Sequence, residues 1–175
     1  MNNRNNEIPR SVIRTRCEVR ETPFVLNIQP EIATSADALA LQQALSQELF
    51  AITGSSGAQR FSAACFENSD GFFLVARTVE HKAVGCVACR PLGIGKDIAE
   101  VKRMYVMPEY RGVGTQLVAS LFSHASQQGF KELWLETRKV NERAVHFWIR
   151  QGFQVIENYG PYKGRDEAVC FARPL

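Results

Sequence analysis

The apolar positions of the chain fall into two periods. Leu41, Leu45 and Leu49 recur every fourth residue within SADALALQQALSQELFAI (35–52), which predicts an amphipathic helix with Ser35 or Asp37 as its cap. The same spacing runs through GTQLVASLFSHASQQG (114–129), with Leu117, Val118, Leu121, Phe122 and Ala125 on one face and Gly129 placed to end it. NERAVHFWIRQG (141–152) predicts another helix, capped by Asn141 and stopped by Gly152, and AQRFSAACF (58–66) a shorter one after the loop TGSSG. The β-rich runs are FVLNIQ (24–29), a hairpin of 72–78 and 83–90, DIAEVKRMYV (97–106), KELWLET (131–137), FQVIE (153–157) and DEAVCFARPL (166–175). The order β α α β β β α β α β β predicts a mixed α/β (α+β) domain. Strands 97–106 and 131–137, joined through a helix, are expected to run parallel.

Composition narrows this little. A length of 175 residues suits one domain, and 45% hydrophobic with 22% charged residues is ordinary for a chain with a real core. The net charge of +3 is too mild to argue for nucleic acid, and the basic residues are scattered apart from Arg10, Arg14, Arg16 and Arg20. Residues 1–22 are expected to be a flexible tail, leaving 23–175 as the folded unit. The start, MNNRNNEIPR, has no apolar core of a secretory signal, and no apolar run reaches membrane-spanning length. Cys86 and Cys89 form a C-x-x-C, but on a strand residues three apart point to opposite faces, so no metal or disulfide is expected there. The expected compartment is reducing, hence cytoplasmic.

Chemistry enters at YVMPEYRGVGTQLV (105–118), where a strand, a glycine turn and a helix start adjoin. Unpaired N–H groups and the helix dipole converge there on a natural seat for phosphate. AEVKRMYVMPEYRGVGTQL (99–117) resembles the acetyl-CoA strand–loop–helix of the GCN5-related N-acetyltransferase (GNAT) superfamily. NERAVHFWIRQGF (141–153) is similar to that family's N-x-x-A-x-x-x-Y-x-x-x-G-F signature. The resemblance runs from about residue 24 to the C-terminus. It implies a mostly antiparallel, splayed sheet flanked by helices, with acetyl-CoA as co-substrate. The implied reaction is direct transfer of acetyl to a primary amine on a small molecule or peptide, without a metal. No nucleic-acid or membrane partner is implied, and a homodimer is left open.

Carried over by position, Met104, Tyr105 and Val106 would pair with the pantetheine arm. Arg111, Gly112, Val113, Gly114, Thr115 and Gln116 would cradle the pyrophosphate, with Asn141 and Trp148 beside the arm. Reading the family's R-G-x-G-x-G from Arg111 puts Gln116 at the last small position. Aligning instead by the helix face makes Gly112–Val113–Gly114 the G-x-G of a turn two residues shorter, with Glu109 at the usual R/Q position. The second reading is preferred, because hydrophobic register is costly to shift.

The amine must lose a proton to a base. Glu100 occupies the strand position where some family members carry that carboxylate, with Glu136 as a further candidate. The usual acid tyrosine falls on Trp148, whose indole cannot supply a proton near neutral pH. The thiolate then leaves unassisted or takes a proton from Tyr105, Tyr159 or Tyr162, with Tyr162 the one assigned. Phe50, Glu136 and Tyr159 are candidate acceptor contacts. A non-catalytic CoA-binding or interaction module on a decayed GNAT fold is the alternative.

Overall fold

A computed structural model describes residues 25–66, 69–93 and 97–175 of the chain. The expected tail, with its basic cluster and Cys17, lies outside the described residues. Seven strands form one sheet in the order β1-β2-β3-β4-β5-β7-β6. They are β1 (Asn27–Pro30), β2 (Phe72–Arg77), β3 (Ala83–Pro91), β4 (Ile98–Val106), β5 (Glu132–Arg138), β6 (Gln154–Ile156) and β7 (Ala168–Pro174). Neighbours are antiparallel except β4 and β5, the parallel pair expected from the intervening helix. The helices are α1 (Ala36–Thr53), α2 (Ala63–Phe66), α3 (Val113–Gln127) and α4 (Glu142–Arg150). No helix among the described residues is long and apolar enough to cross a membrane.

The sheet separates two cores. On one face Leu117, Val118 and Leu121 of α3 and Trp148 of α4 pack against Leu74, Val87, Val101, Leu133 and Phe171. On the other, Leu41 and Leu45 of α1 and Phe61 and Phe66 pack against Phe73, Val75, Cys86 and Tyr105. Cys86 and Cys89 thus lie in different cores, and burial pushes each thiol up to about 12. The element order follows the hydrophobic periods closely, with two local departures. The predicted helix 58–66 divides into a 3-10 turn, Ala58–Arg60, and the single turn α2, because Phe61 adopts an extended backbone (φ −149°). That break lets Phe61 and Phe66 bury together, with ring centroids 5.1 Å apart. The first strand begins later than expected and includes Pro30, which an edge strand accommodates without losing a ladder bond.

Two irregularities shape the middle of the sheet. In the β3–β4 register Cys86 faces Tyr105 while Ala88 faces Lys102, so β4 carries one residue more than β3. Arg103, inside this bulge, has φ 51°, in the left-handed region. Lys102 and Arg103 consequently share a face, and Met104 takes the other. Lys102 reaches Tyr162, Arg103 reaches Ser46 on α1, and Met104 packs into the α3 core. The second irregularity is that β4 and β5 pair only over Ile98–Glu100 and Glu132–Trp134, although both strands run on. Beyond Glu100 and Trp134 they part.

Deleting Arg103 would restore a regular ladder that leaves Lys102 and Tyr105 on their present face, and would remove the bulge together with its contact to α1. The expected outcome is a cooperative thermal transition with a lowered midpoint. A variant melting like the parent would show that the bulge and its contact add nothing to stability.

Candidate functional site

The gap between β4 and β5 is the floor of a cleft of ≈ 430 Å³. Its walls come from Val101–Met107 of β4 and the residues after it, Leu135–Thr137 of β5, the start of α3, the inner face of α4, and Leu45, Glu48 and Leu49 of α1. At one end the N-terminus of α3 opens into the cleft through Arg111, Gly112 and Gly114. Val113, Leu117 and Leu121 are fully buried at four-residue spacing, so the helix begins at Val113 in the register of the shortened turn. Gly112 caps the helix at φ 85°, and a Cβ there would meet nothing within 4 Å, so backbone conformation alone calls for glycine. Gly114 differs. A Cβ on it would stand 3.1 Å from the Phe147 ring of α4, so this glycine lets two helices approach. Thr115 accepts a hydrogen bond from Gln151 Nε2 (3.3 Å), and the Val113 side chain anchors the helix in the core, leaving backbone N–H groups for the cleft.

Asn141 lines the cleft and caps α4, its Oδ1 accepting from Ala144 N–H at 3.2 Å. Trp148 also lines it, 5% exposed, with edge contacts to Phe147 and Phe153 at 5.1 and 5.0 Å. Met104, Tyr105 and Val106 form the β4 wall where no strand pairs alongside.

Glu100 sits at the fork itself, 3% exposed and opposite both Arg90 and Trp134 in register. Arg90 donates to its Oε2 (2.9 Å). Tyr159 and Tyr162 donate to Oε1 (3.1 and 3.3 Å), and Lys102 Nζ lies 3.3 Å from the same oxygen. Burial alone would raise the Glu100 carboxyl, but Lys102, Arg90 and Tyr159 together outweigh it and hold the group below the usual carboxylate value. Lys102 is itself lowered by burial, which outweighs the pull of Glu100 and Glu136 in the other direction. Tyr162 additionally accepts from Lys102 Nζ at 2.5 Å, and burial pushes both phenols well above their ordinary range. Glu100, Tyr159 and Tyr162 lie behind the cleft wall rather than on it. This arrangement departs from the roles expected for them: a carboxylate saturated by four partners has no free lone pair to draw a proton, and these phenols are poor acids.

Phe50 also departs from expectation. It is 63% exposed at the end of α1, and Leu45, Glu48 and Leu49 take its place on the cleft. Glu136 does line the cleft, and among the described residues its carboxylate forms no hydrogen bond or ion pair. Burial raises its pKa, with Lys102, Arg60 and Arg138 pulling only partly against that. Sequence reasoning missed Arg60, Arg90, Arg103 and the Glu48–Arg143 pair (3.6 Å) between α1 and α4. Arg90 alone left a trace, since pairing the predicted strands 83–90 and 97–106 as a hairpin would have set it against Glu100.

A forked parallel pair, a bulge on its first strand and a glycine-capped helix N-terminus at its open end define an acyl-CoA-dependent transferase fold. The family model for the acetyltransferase (GNAT) family matches residues 38–153, and the chain belongs to this family. It is 37% identical over 91 residues to an uncharacterized N-acetyltransferase of Schizosaccharomyces pombe, covering 51% of this chain and 55% of that protein. It is 32% identical over 85 residues to a ribosomal-protein alanine N-acetyltransferase of Escherichia coli, covering 45% and 57% respectively. The matched segment spans about half the length of these curated relatives. The PaiA N-acetyltransferase of Thermoplasma acidophilum, solved in complex with coenzyme A, superposes with TM-score 0.68 at 18% identity over 86% of this chain and 99% of that one. An acetyltransferase from Streptococcus agalactiae gives 0.70 at 23% identity over 86% and 98%.

Two outcomes follow for stability. Glu100→Gln strands two partly buried cations and should cost about 3–5 kcal/mol at neutral pH. Because the folded carboxyl is lowered, this contribution is full above the unfolded value of 4.5 and fades as pH falls through the folded value. Denaturation curves of parent and variant should therefore converge in acid, and a pH-independent difference would contradict the charge assignment. Gly114→Ala should destabilise the parent but much less the Phe147→Ala background, and additivity of the two would remove the close-approach explanation.

Proposed function

We propose that the chain moves an acetyl group from acetyl-CoA to a primary amine on a small molecule or peptide, with Glu136 as the general base. Acetyl transfer in general follows from the family, and the observation that carries the finer reading is the placement of Glu136. It is the cleft carboxylate without a hydrogen bond or ion pair to any described residue, whereas Glu48, the other carboxylate on the lining, is paired with Arg143.

The residues suit an acyl-CoA. The unpaired edge of β4 at Met104–Val106 offers backbone groups to the pantetheine arm, as an added strand would use them. Arg111, Gly112 and the N–H groups of Val113–Thr115 offer donors and the helix dipole to the phosphates. Asn141 and Trp148 close the opposite wall. When bound, the co-substrate supplies an activated acyl thioester.

The protein's own contribution is to orient the amine and to take its proton. The nitrogen–carbon bond forms, the carbon–sulfur bond breaks, one proton passes from the amine to Glu136, and the thiolate takes one from solvent. A carboxyl raised by burial is the better base near neutrality. With Tyr162 saturated in the Glu100 cluster and an indole at Trp148, the thiolate leaves unassisted, which a leaving group of thiol pKa about 8–9 permits. The homologous activity is consistent with a soluble amine acceptor and calls for no metal ligand.

One observation favours a non-catalytic acyl-CoA-binding module, the loss of the usual phenol at Trp148. The two readings separate in one assay. With a panel of primary amines and acetyl-CoA, CoA release should be detected, and Glu136→Gln should lower the rate by about 10²- to 10⁴-fold. The parent should lose activity as pH falls through a carboxyl pKa above 4.5, and the variant should lack that acidic limb. Binding without CoA release from any amine would support the module. Full activity in Glu136→Gln would overturn the base assignment.

A further inference from the structure

Some charged groups around the cleft are matched in pairs. Glu100 takes Lys102 and Arg90, and Glu48 takes Arg143. Two guanidiniums on the acceptor side of the fork are not matched. Arg103, carried by the bulge, donates through Nη1 only to neutral oxygens, Ser46 Oγ (3.3 Å) and Ser56 O (3.4 Å), and lies over the Phe61 ring at 5.4 Å. Its Nε is buried with no hydrogen-bond partner. Arg60, on the 3-10 turn, lies over the Tyr162 ring at 5.1 Å and donates to Pro161 O at 3.5 Å. Neither forms an ion pair with any described residue, and both line the cleft. Arg60 is also near enough to Glu136 to act on its carboxyl.

The consequence is a specific charge pattern: one open carboxylate, Glu136, in the same cleft as two guanidiniums without an ion pair. An acceptor whose charge is purely cationic meets that surplus unfavourably. An acceptor carrying an anion beside its amine satisfies both signs, through charge-assisted hydrogen bonds to the guanidiniums. Planar guanidiniums match a carboxylate bidentately. Resting on the acetyltransfer reading above, we propose that the acceptor is an amine bearing a carboxylate close to the nitrogen, as in a free amino acid, with Arg60 and Arg103 as its carboxylate site.

A structural role for Arg103, pinning α1 and the loop at Ser56 onto β4, would also explain its hydrogen bonds, so the test reads selectivity rather than rate alone. The L-amino acids are assayed with acetyl-CoA beside their α-carboxamides and their decarboxylated amines, following CoA release. For the side chain that is turned over best, kcat/KM for the free acid should exceed that of its amide by roughly 10- to 100-fold. Arg60→Met and, in a separate protein, Arg103→Met should shrink that ratio towards one, whatever each does to melting temperature. Turnover of amides or amines at least equal to the acids would overturn this proposal while leaving acetyltransfer intact. A ratio unaltered in both variants would equally overturn it. The absence of CoA release with every probe, together with absent acetyl-CoA binding, would instead strike the reading on which it rests.

Discussion

The separation of β4 from β5 beyond Glu100 and Trp134 is the constraint on which the other features depend. Two parallel strands normally continue pairing, since each unpaired backbone group forfeits a hydrogen bond. Here the loss is compensated by side chains at the fork. Glu100, on the last paired residue, is cross-linked to β3 through Arg90, to its own strand through Lys102, and to the Tyr159–Tyr162 turn through both phenols. The bulge at Arg103 then changes the course of β4, and the strand edge that is left free becomes the wall of the cleft.

A polar cluster at that point is costly to desolvate and adds less net stability than an apolar plug of the same volume would. What it supplies is geometry. An apolar plug could let β4 and β5 zip further, whereas a carboxylate needing four partners from three directions holds the elements at one separation. The buried charge is thus a positioning device, and the chemistry is left to the group one step further along β5. Glu136 shares the fork's low dielectric but not its partners, and so keeps a lone pair available.

The fold was legible because periodicity carries over directly. The repeat of Leu117, Leu121 and Ala125 placed a helix over 114–129, and the helix observed starts one residue earlier, at Val113. The site was legible in part. The strand, the turn and Asn141 fall where the motif puts them, since they depend on backbone that sequence spacing describes. The pairing of Glu100 with Arg90, Tyr159 and Tyr162 was not legible, because these partners come from other elements and are not local in sequence. Arg103 left no signal. A bulge is a mismatch between two strands, and one strand read alone continues its alternation through it. Phe50 was misplaced by less than one turn, which on a helix is enough to point a side chain from the cleft to solvent.

The central claim is that the open edge of β4 and the capped start of α3 together hold an acyl-CoA. It is tested most directly by titrating isotopically labelled protein with acetyl-CoA and following backbone amide shifts by NMR. The account predicts saturable changes concentrated at Met104–Val106 and Gly112–Gln116. No saturable change at millimolar ligand, or changes confined to other parts of the sheet, would contradict it.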